Sequence, residues 1–450
     1  MSNERHTSPP AYFLSLSLEN VRSFGDKQTI SFTQGGIPTQ WTIILGNNGV
    51  GKTTILKSLA AISPIYDGQT SEEELSLEEA TRLGRYQVSF LRLLTKWSPI
   101  RHDGEKLAKI EVLGRIGINL VTKARFASKI LQKQLTAKIR NQLTASLYTI
   151  DEAGLICYGY GAGRTTGTTS LSESQNTNDT CISLFDDKAN LMNPEEWFLQ
   201  FFINSKLQPD NTLISSYYDR VKQALLDVLP DVTDLKITSV GRPESPRQEL
   251  QLYTPYGWVR LSEMSLGYQT LTVWLTDLAS RLFERYPTSP NPLAEPAIVL
   301  VDEIDLHLHP EWQRELIGFL SRTFPNTQFI ATAHSPLVVQ AAADAGANIV
   351  LLEREGDQVV VRSDVQQVQN WRIDQILTSD LFGLDTARSI NTENQLKRRA
   401  ELLSKARLTK KEQIELEDLN SFAHSQPSGE TKVERSREAL LEELARKLGK

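Results

Sequence analysis

The sequence predicts an α/β fold: a mixed, twisted sheet flanked by helices, with a largely helical insertion and a helical C-terminal appendage. Three observations carry that prediction. The apolar run at residues 41–45 enters a glycine-rich segment, residues 46–51, and residues with helical spacing follow at once: Ile55, Leu56, Leu59, Ala60 and Ile62. Residues 297–301 are all apolar and close in two carboxylates, Asp302 and Glu303, the pattern of a buried parallel strand whose carboxyl end faces a ligand crevice. A third apolar stretch, residues 328–333, ends in His334.

The remaining elements follow in chain order. Residues 12–19 alternate apolar and polar and read as a strand, with a short second strand at 30–32. Residues 86–94 and 109–120 are strand-like. Residues 123–148 carry Phe126, Ile130, Leu131, Leu135, Ile139 and Leu143 at three- and four-residue steps and read as a long amphipathic helix. Residues 158–164 are glycine-rich, and the Thr/Ser/Asn tract at 165–180 has almost nothing to bury, so a mobile loop is expected there. Helical patterns resume over 194–229. A proline-rich connector at 287–296 precedes the 297–301 strand, and a hairpin at 349–353 and 359–362 turns on Gly356 and Asp357. Beyond Trp371 the chain is helical and charged. The division implied is a first lobe at 1–122, an insertion at 123–235, a second lobe at 236–365 and a helical region at 366–450.

At 450 residues the chain exceeds one small module and should hold two or three folded units. With 40% hydrophobic and 23% charged residues it can build a sizeable core, which excludes disorder throughout. The 49 Lys and Arg against 55 Asp and Glu give a net charge of -6, so a nucleic-acid contact would have to be a local patch. Cys157 and Cys181 are too few for a disulfide framework and fit a reducing cytoplasm. No apolar stretch approaches the roughly 18 residues of a membrane span, and residues 1–10 lack an apolar signal core. A soluble cytoplasmic protein is expected, with no membrane partner.

Gly46-Asn47-Asn48-Gly49-Val50-Gly51-Lys52-Thr53 is G-x-x-x-x-G-K-T between a strand and a helix, the context in which the pattern marks a phosphate-binding loop. Its glycines let the backbone wrap phosphates with successive N–H groups inward, and the helix N-terminus adds partial positive charge. ATP contacts are expected from Asn47, Asn48, Gly49, Gly51, Lys52, Thr53 and Thr54. Lys52 should hold β- and γ-phosphate oxygens and the Thr53 hydroxyl should coordinate Mg²⁺. Asp302 would hold the same metal. Glu303, not consumed by the metal, is placed to polarise the attacking water. His334 is suited to donate to the γ-phosphate or that water. Ser265 and Gly267, at the start of a helix over 270–283, form a weak S-x-G signal that gains meaning from its place before the Asp302-Glu303 strand.

The order of the Gly46–Thr53 loop, Ser265 to Gln269, Asp302-Glu303 and His334 resembles the ABC-type ATPase head, with its Walker A, signature, Walker B and switch histidine. The long gap between Thr53 and Ser265 is similar to the soluble branch of recombination, chromosome-maintenance and overcoming-lysogenisation-defect proteins. Asn20-Val21-Arg22-Ser23-Phe24, Asp302 to Pro310 and Ala333-His334-Ser335-Pro336 resemble the ATPase subunits of Septu-type and retron-linked anti-phage systems. That resemblance implies ATP and Mg²⁺ as cofactors and a head-to-tail dimer of two copies, in which Ser265 and Gly267 act on ATP held by the other copy's Lys52. It implies a separate nuclease as the regulated partner, places Arg22 or Phe24 near the adenine, and puts Asp305 on a loop crossing the dimer interface. Met264 and Tyr268 depart from the usual signature. The family's Q-loop glutamine has no unmistakable counterpart; Gln87 and the turn at 160–164 are the candidates.

Other readings are weaker. A repair or chromosome-maintenance ATPase acting on DNA directly is the alternative function, although sustained heptads for a long coiled-coil arm are missing. An autonomous nuclease would need a Toprim acid pair, and no D-x-D follows Asp302; no His-Asn-His motif appears either. A degenerate ATP sensor is opposed by Lys52, Asp302, Glu303 and His334 all being present. His307 and His309 straddle Leu308, but the family loop accounts for them better than a metal pair does. The basic run from Lys397 to Lys411 reads as a solvated helix face, a nucleic-acid or partner contact being the alternative. Residues 371–384 have the spacing of core.

Overall fold

The computed structural model describes residues 11–61, 97, 101, 108–116, 120–128, 157–166, 179–208, 210–229, 231–242, 245–363 and 368–424. Its centre is a six-stranded sheet in the order Gln358–Arg362, Asn348–Glu355, Trp41–Gly46, Thr327–Thr332, Ala297–Val301 and Cys157–Tyr160. All neighbours run parallel except the hairpin strand at the edge. The strands sit between two apolar layers, and side-chain alternation explains how one sheet serves both. Trp41, Ile43, Leu45, Val299, Val301 and Phe329 enter one core. Ile44, Ile298, Leu300, Ile330 and Val350 enter the other. Strands buried on both faces read as continuous apolar runs, which is why they stand out in the sequence.

The first layer is helical, formed by Pro194–Leu207, Thr212–Val228, Leu266–Arg285, Pro310–Thr323 and Pro336–Asp344. Trp41 stacks on Phe329 with ring centroids 4.3 Å apart, a pairing worth about 0.5–1.5 kcal/mol beyond its buried area. The second layer holds the Lys52–Ala60 helix and a four-stranded antiparallel sheet, Gln28–Ser31, Ala11–Glu19, Ala108–Ile116 and Leu120–Ser128. Gln328 joins the two sheets. Its amide accepts from the Phe13 N–H at 2.7 Å and donates to the Phe13 carbonyl at 2.9 Å, where the register slips between Phe13 and Ser15. A fully buried glutamine is thereby satisfied by the Phe13 backbone beside the irregularity.

A three-stranded antiparallel sheet, Asp234–Arg242, Ser245–Thr254 and Gly257–Arg260, delivers the chain to Ser265. The chain forms two compact units, one comprising residues 1–376 and 380–382, the other 377–379 and 383–450. In the second, the helices Ile390–Ser404 and Lys410–His424 are pinned by Arg398 to Glu415 at 2.8 Å, Lys405 to Glu412 at 2.5 Å and Arg399 to Asn420 at 2.7 Å. Part of the basic run expected to face solvent or nucleic acid is thus neutralised within its own hairpin. Among the described residues no helix is long and apolar enough to cross a membrane.

The expected helix from residue 123 is not what forms at its beginning. Leu120–Ser128 is a strand, paired along its whole length with Ala108–Ile116. Antiparallel pairing overrides the helical spacing there. Residues 129–148, most of that expected helix, lie outside the described residues, as do the expected strand at 86–94, most of the Thr/Ser/Asn tract and residues 425–450. Cys157–Tyr160, expected within a helical insertion, is an edge strand of the central sheet beside Ala297–Val301. Residues 371–384 meet the expectation of core through Ile376 and Leu381, which are buried.

Candidate nucleotide site

The loop from Gly46 to Gly51 turns the Trp41–Gly46 strand into the Lys52–Ala60 helix. Gly46 and Gly51 have φ of 140° and 97°, and a Cβ on either would stand 2.5 Å from the Leu352 carbonyl or the Ser23 hydroxyl. Only glycine fits both the backbone and the space. Lys52 is buried and curls into the loop, its Nζ donating to the carbonyls of Gly46 at 2.7 Å and Asn47 at 3.1 Å. Burial lowers the Lys52 pKa, while Asp302, Glu303 and Asp305 act in the opposite direction.

That shift has a measurable sign. A triphosphate prefers the ammonium form, so affinity holds its full value below the free-protein pKa of Lys52 and declines as the pH rises through it. The decline should begin below the ordinary lysine value of 10.5, because burial has already weakened the proton's hold. Calorimetry between neutral and alkaline pH should show it for the wild type. A Lys52→Arg chain that still binds ATP should lack this limb, since guanidinium keeps its charge. Superimposable profiles would contradict the assignment.

The second half of the site comes from the end of the Ala297–Val301 strand. The Thr53 hydroxyl donates to Asp302 Oδ2 at 2.6 Å, and the Thr332 hydroxyl donates to Asp302 Oδ1 at 2.6 Å. Thr332 also accepts the Glu303 N–H at 2.7 Å. Glu303 itself sits at φ 48°, a left-handed conformation uncommon for a non-glycine residue. Thr53 and Asp302 therefore place two hard oxygen donors side by side, the donor set that a Mg²⁺ ion takes together with phosphates. Phosphate cradle, ammonium and oxygen pair fit a magnesium nucleotide.

His334 follows the Thr327–Thr332 strand. His334 is exposed, and its backbone N–H donates to Asp305 Oδ2 at 2.8 Å, with the Ser335 backbone N–H donating to the same oxygen. Ser335 Oγ donates to Gln313 Oε1 at 2.6 Å. Asp305 is buried, and its carboxylate braces the histidine loop within the same chain. His309 is a helix cap whose Nδ1 accepts the Glu311 N–H, which accounts for it without a metal.

Ser265 caps the Leu266–Arg285 helix, accepting the Tyr268 N–H at 3.4 Å. It is exposed, and Leu266 beside it is 59% exposed. Gly267 is buried where a Cβ would lie 2.1 Å from the His307 carbonyl, so the helix start lies directly on the loop that follows Asp302 and Glu303. Among the described residues no hydrogen bond joins Ser265 or Gly267 to the Gly46–Thr53 loop. Within one chain the structure brings together Lys52, Thr53, Asp302 and Glu303, with His334 braced through Asp305, and leaves Ser265 open to solvent.

Arg22, at φ 52°, lines a cavity of about 630 Å³ together with Ser23, Asn48, Gly51, Thr54 and Gln358. Phe24 is fully buried beneath Gly51. Of the two residues expected near the base, Arg22 is therefore the one at the cavity. Gln87 lies outside the described residues. Thr332 is a site residue that the sequence analysis missed, its only signal being a hydroxyl amid an apolar strand. Arg164, at the end of the 160–164 turn named as a Q-loop candidate, reaches the backbone of Asp302 and Glu303.

Comparison with known proteins supplies the relationship. The domain family described as "AAA domain, putative AbiEii toxin, Type IV TA system" matches residues 175–340, and a second described as "AAA domain" matches residues 15–78. The "Retron Ec83 probable ATPase" of Escherichia coli is 36% identical over 170 residues, 37% of this chain. The "Septu protein PtuA" of Bacillus mycoides (strain KBAB4) is 28% identical over 353 residues, 78% of this chain. The chain carries an ATPase domain related to those of Septu and retron systems. The matched regions span 28% and 42% of the lengths of those two relatives. Among solved structures, that of "the recombination mediator protein RecF-ATPrS in RecFOR pathway" matches at a TM-score of 0.39 and 12% identity, over 79% of this chain and 100% of that one. The first domain match includes Ser265, Asp302, Glu303 and His334, and the second includes Arg22 and the Gly46–Gly51 loop.

Proposed function

We propose that the chain binds and hydrolyses ATP with Mg²⁺, closes as a head-to-tail dimer around the nucleotide, and through that closure controls a separate nuclease in anti-phage defence in the cytoplasm. The observation that carries the reading is the 2.6 Å hydrogen bond from Thr53 to Asp302, which joins the phosphate loop to the acid strand across 249 positions of sequence. Bound Mg²⁺ would offset phosphate charge, held by Thr53 and Asp302. Lys52 then exchanges the carbonyls of Gly46 and Asn47 for phosphate oxygens. Glu303 orients water as the base, and His334 donates to the γ-phosphate or to that water. Arg22 receives the base, with Asn48 and Thr54 beside it in the same cavity.

Dimerisation is inferred from what one chain lacks. Ser265 and its helix end face solvent, and a helix N-terminus aimed at the second copy's γ-phosphate would complete the site. The relation to Septu and retron ATPases favours the defence role over the repair or chromosome-maintenance alternative. Affinity capture from the native host, followed by mass spectrometry, tests the partner. A co-purifying nuclease is expected; recovery of none, at expression levels that recover known complexes, would favour the chain acting on DNA directly.

A further inference from the structure

We infer that Arg164 is a positioning residue for hydrolysis, holding the backbone of Asp302 and Glu303 so that both carboxylates keep their places. The inference rests on the reading of Asp302 as metal ligand and Glu303 as base. Cys157–Tyr160 runs parallel to Ala297–Val301, with Tyr160 beside Val301 and the Asp302 N–H donating to the Tyr160 carbonyl at 2.8 Å. The chain then turns through residues 161–163 and brings Arg164 back under the end of the acid strand. The arginine is buried, only 6% exposed. Its Nε donates to the Gly161 carbonyl at 2.8 Å, and Nη2 donates to the carbonyls of Asp302 and of Glu303, the latter at 2.7 Å.

Those contacts divide the work at Asp302. Thr53 and Thr332 hold its carboxylate, while Arg164 holds its peptide from behind. For Glu303 the arginine matters more, because the left-handed backbone at φ 48° persists only where neighbours over-determine it. Capture of its carbonyl by Arg164 and of its N–H by Thr332 does so on both sides. The turn that carries Arg164 has no slack. A Cβ on Gly161 would stand 2.1 Å from the Ser183 carbonyl, and one on Gly163 would stand 3.2 Å from that of Asp187. Burial pushes the Arg164 pKa down to about 10, against the pull of Asp302, Asp305 and Glu303, so the guanidinium is charged at neutral pH. It bonds to the carbonyls of Asp302 and Glu303 and not to their carboxylate oxygens. A planar fork suits three carbonyls at once; a lysine ammonium on its flexible stem does not.

The test compares Arg164→Lys and Arg164→Ala with the wild-type full chain, measuring the ATP dissociation constant and steady-state turnover. The phosphate loop is untouched by either change, so ATP affinity should stay within about threefold of wild type. Misplacing a reacting group by about 1 Å lowers turnover by roughly a hundredfold, so kcat should fall by about that much in Arg164→Ala and by about tenfold in Arg164→Lys. The lysine variant keeps charge and most of the volume, and it decides the matter if the alanine variant does not fold. Wild-type kcat in Arg164→Lys would overturn the inference, as would a loss of affinity equal to the loss of kcat, which is what a merely structural role gives. Glu303→Gln measured alongside separates the two levels: normal hydrolysis there means that the base assignment itself has failed.

Discussion

Replacing Glu303 with glutamine is expected to slow ATP hydrolysis by about a hundredfold or more, the usual worth of a positioned general base, while ATP binding survives. The substitution is nearly isosteric. The Glu303 backbone keeps its hydrogen bonds to Thr332 and Arg164, so neither the left-handed turn nor the Asp302 carboxylate should move. What disappears is the ability to accept a proton from water. Because nucleotide is then bound and not consumed, the closed dimer should accumulate, and gel filtration with ATP should show it as a doubled species. Normal turnover, or a chain that elutes unchanged with ATP, refutes the assignment.

Lys52→Ala should remove tight nucleotide binding altogether. The ammonium is desolvated in the free protein and already held by two carbonyls, so exchanging them for a triphosphate adds charge-assisted bonds without reordering the side chain. Truncating one member of such a buried charge pair typically loses about 2–5 kcal/mol, which takes micromolar affinity to millimolar. The fold should tolerate the change, since alanine at this point removes a desolvated charge and leaves Gly46 and Gly51 with their backbone conformations. Calorimetry with ATP reads the result directly. Unaltered affinity would defeat the reading of the loop.

The parts of this site that could be read from the sequence are those where chemistry restricts residue type. Glycines at 46, 49 and 51, a lysine and a threonine at fixed spacing, and paired acids after a run buried on both faces are a combination that few structures besides a nucleotide site require. Thr332 was hidden because its second role, accepting the Glu303 N–H while orienting Asp302, arises only when two distant strands lie side by side. Arg164 was hidden for the same reason: glycines at 159, 161 and 163 announce a close approach but not what is approached. Residues 123–128 carry helical spacing only through Phe126 and the apolar residues beyond it, and the strand character of Leu120–Ser128 comes from its pairing with Ala108–Ile116. The hold of the Asp305 carboxylate on the His334 loop was hidden likewise, because the loop after Asp302 and the end of the Thr327–Thr332 strand meet only in the fold.

The proposed dimer makes Lys52 of one copy and Ser265 of the other the two halves of one site. Mixing two inactive variants measures this most directly. Lys52→Ala has no usable phosphate loop but keeps Ser265, and Ser265→Arg has the loop but blocks the helix end. In a mixed dimer one composite site is whole. Pairing across two chains predicts that the mixture hydrolyses ATP although neither variant does so alone. A mixture that stays inactive, with both chains folded and Ser265→Arg still binding ATP, would contradict it.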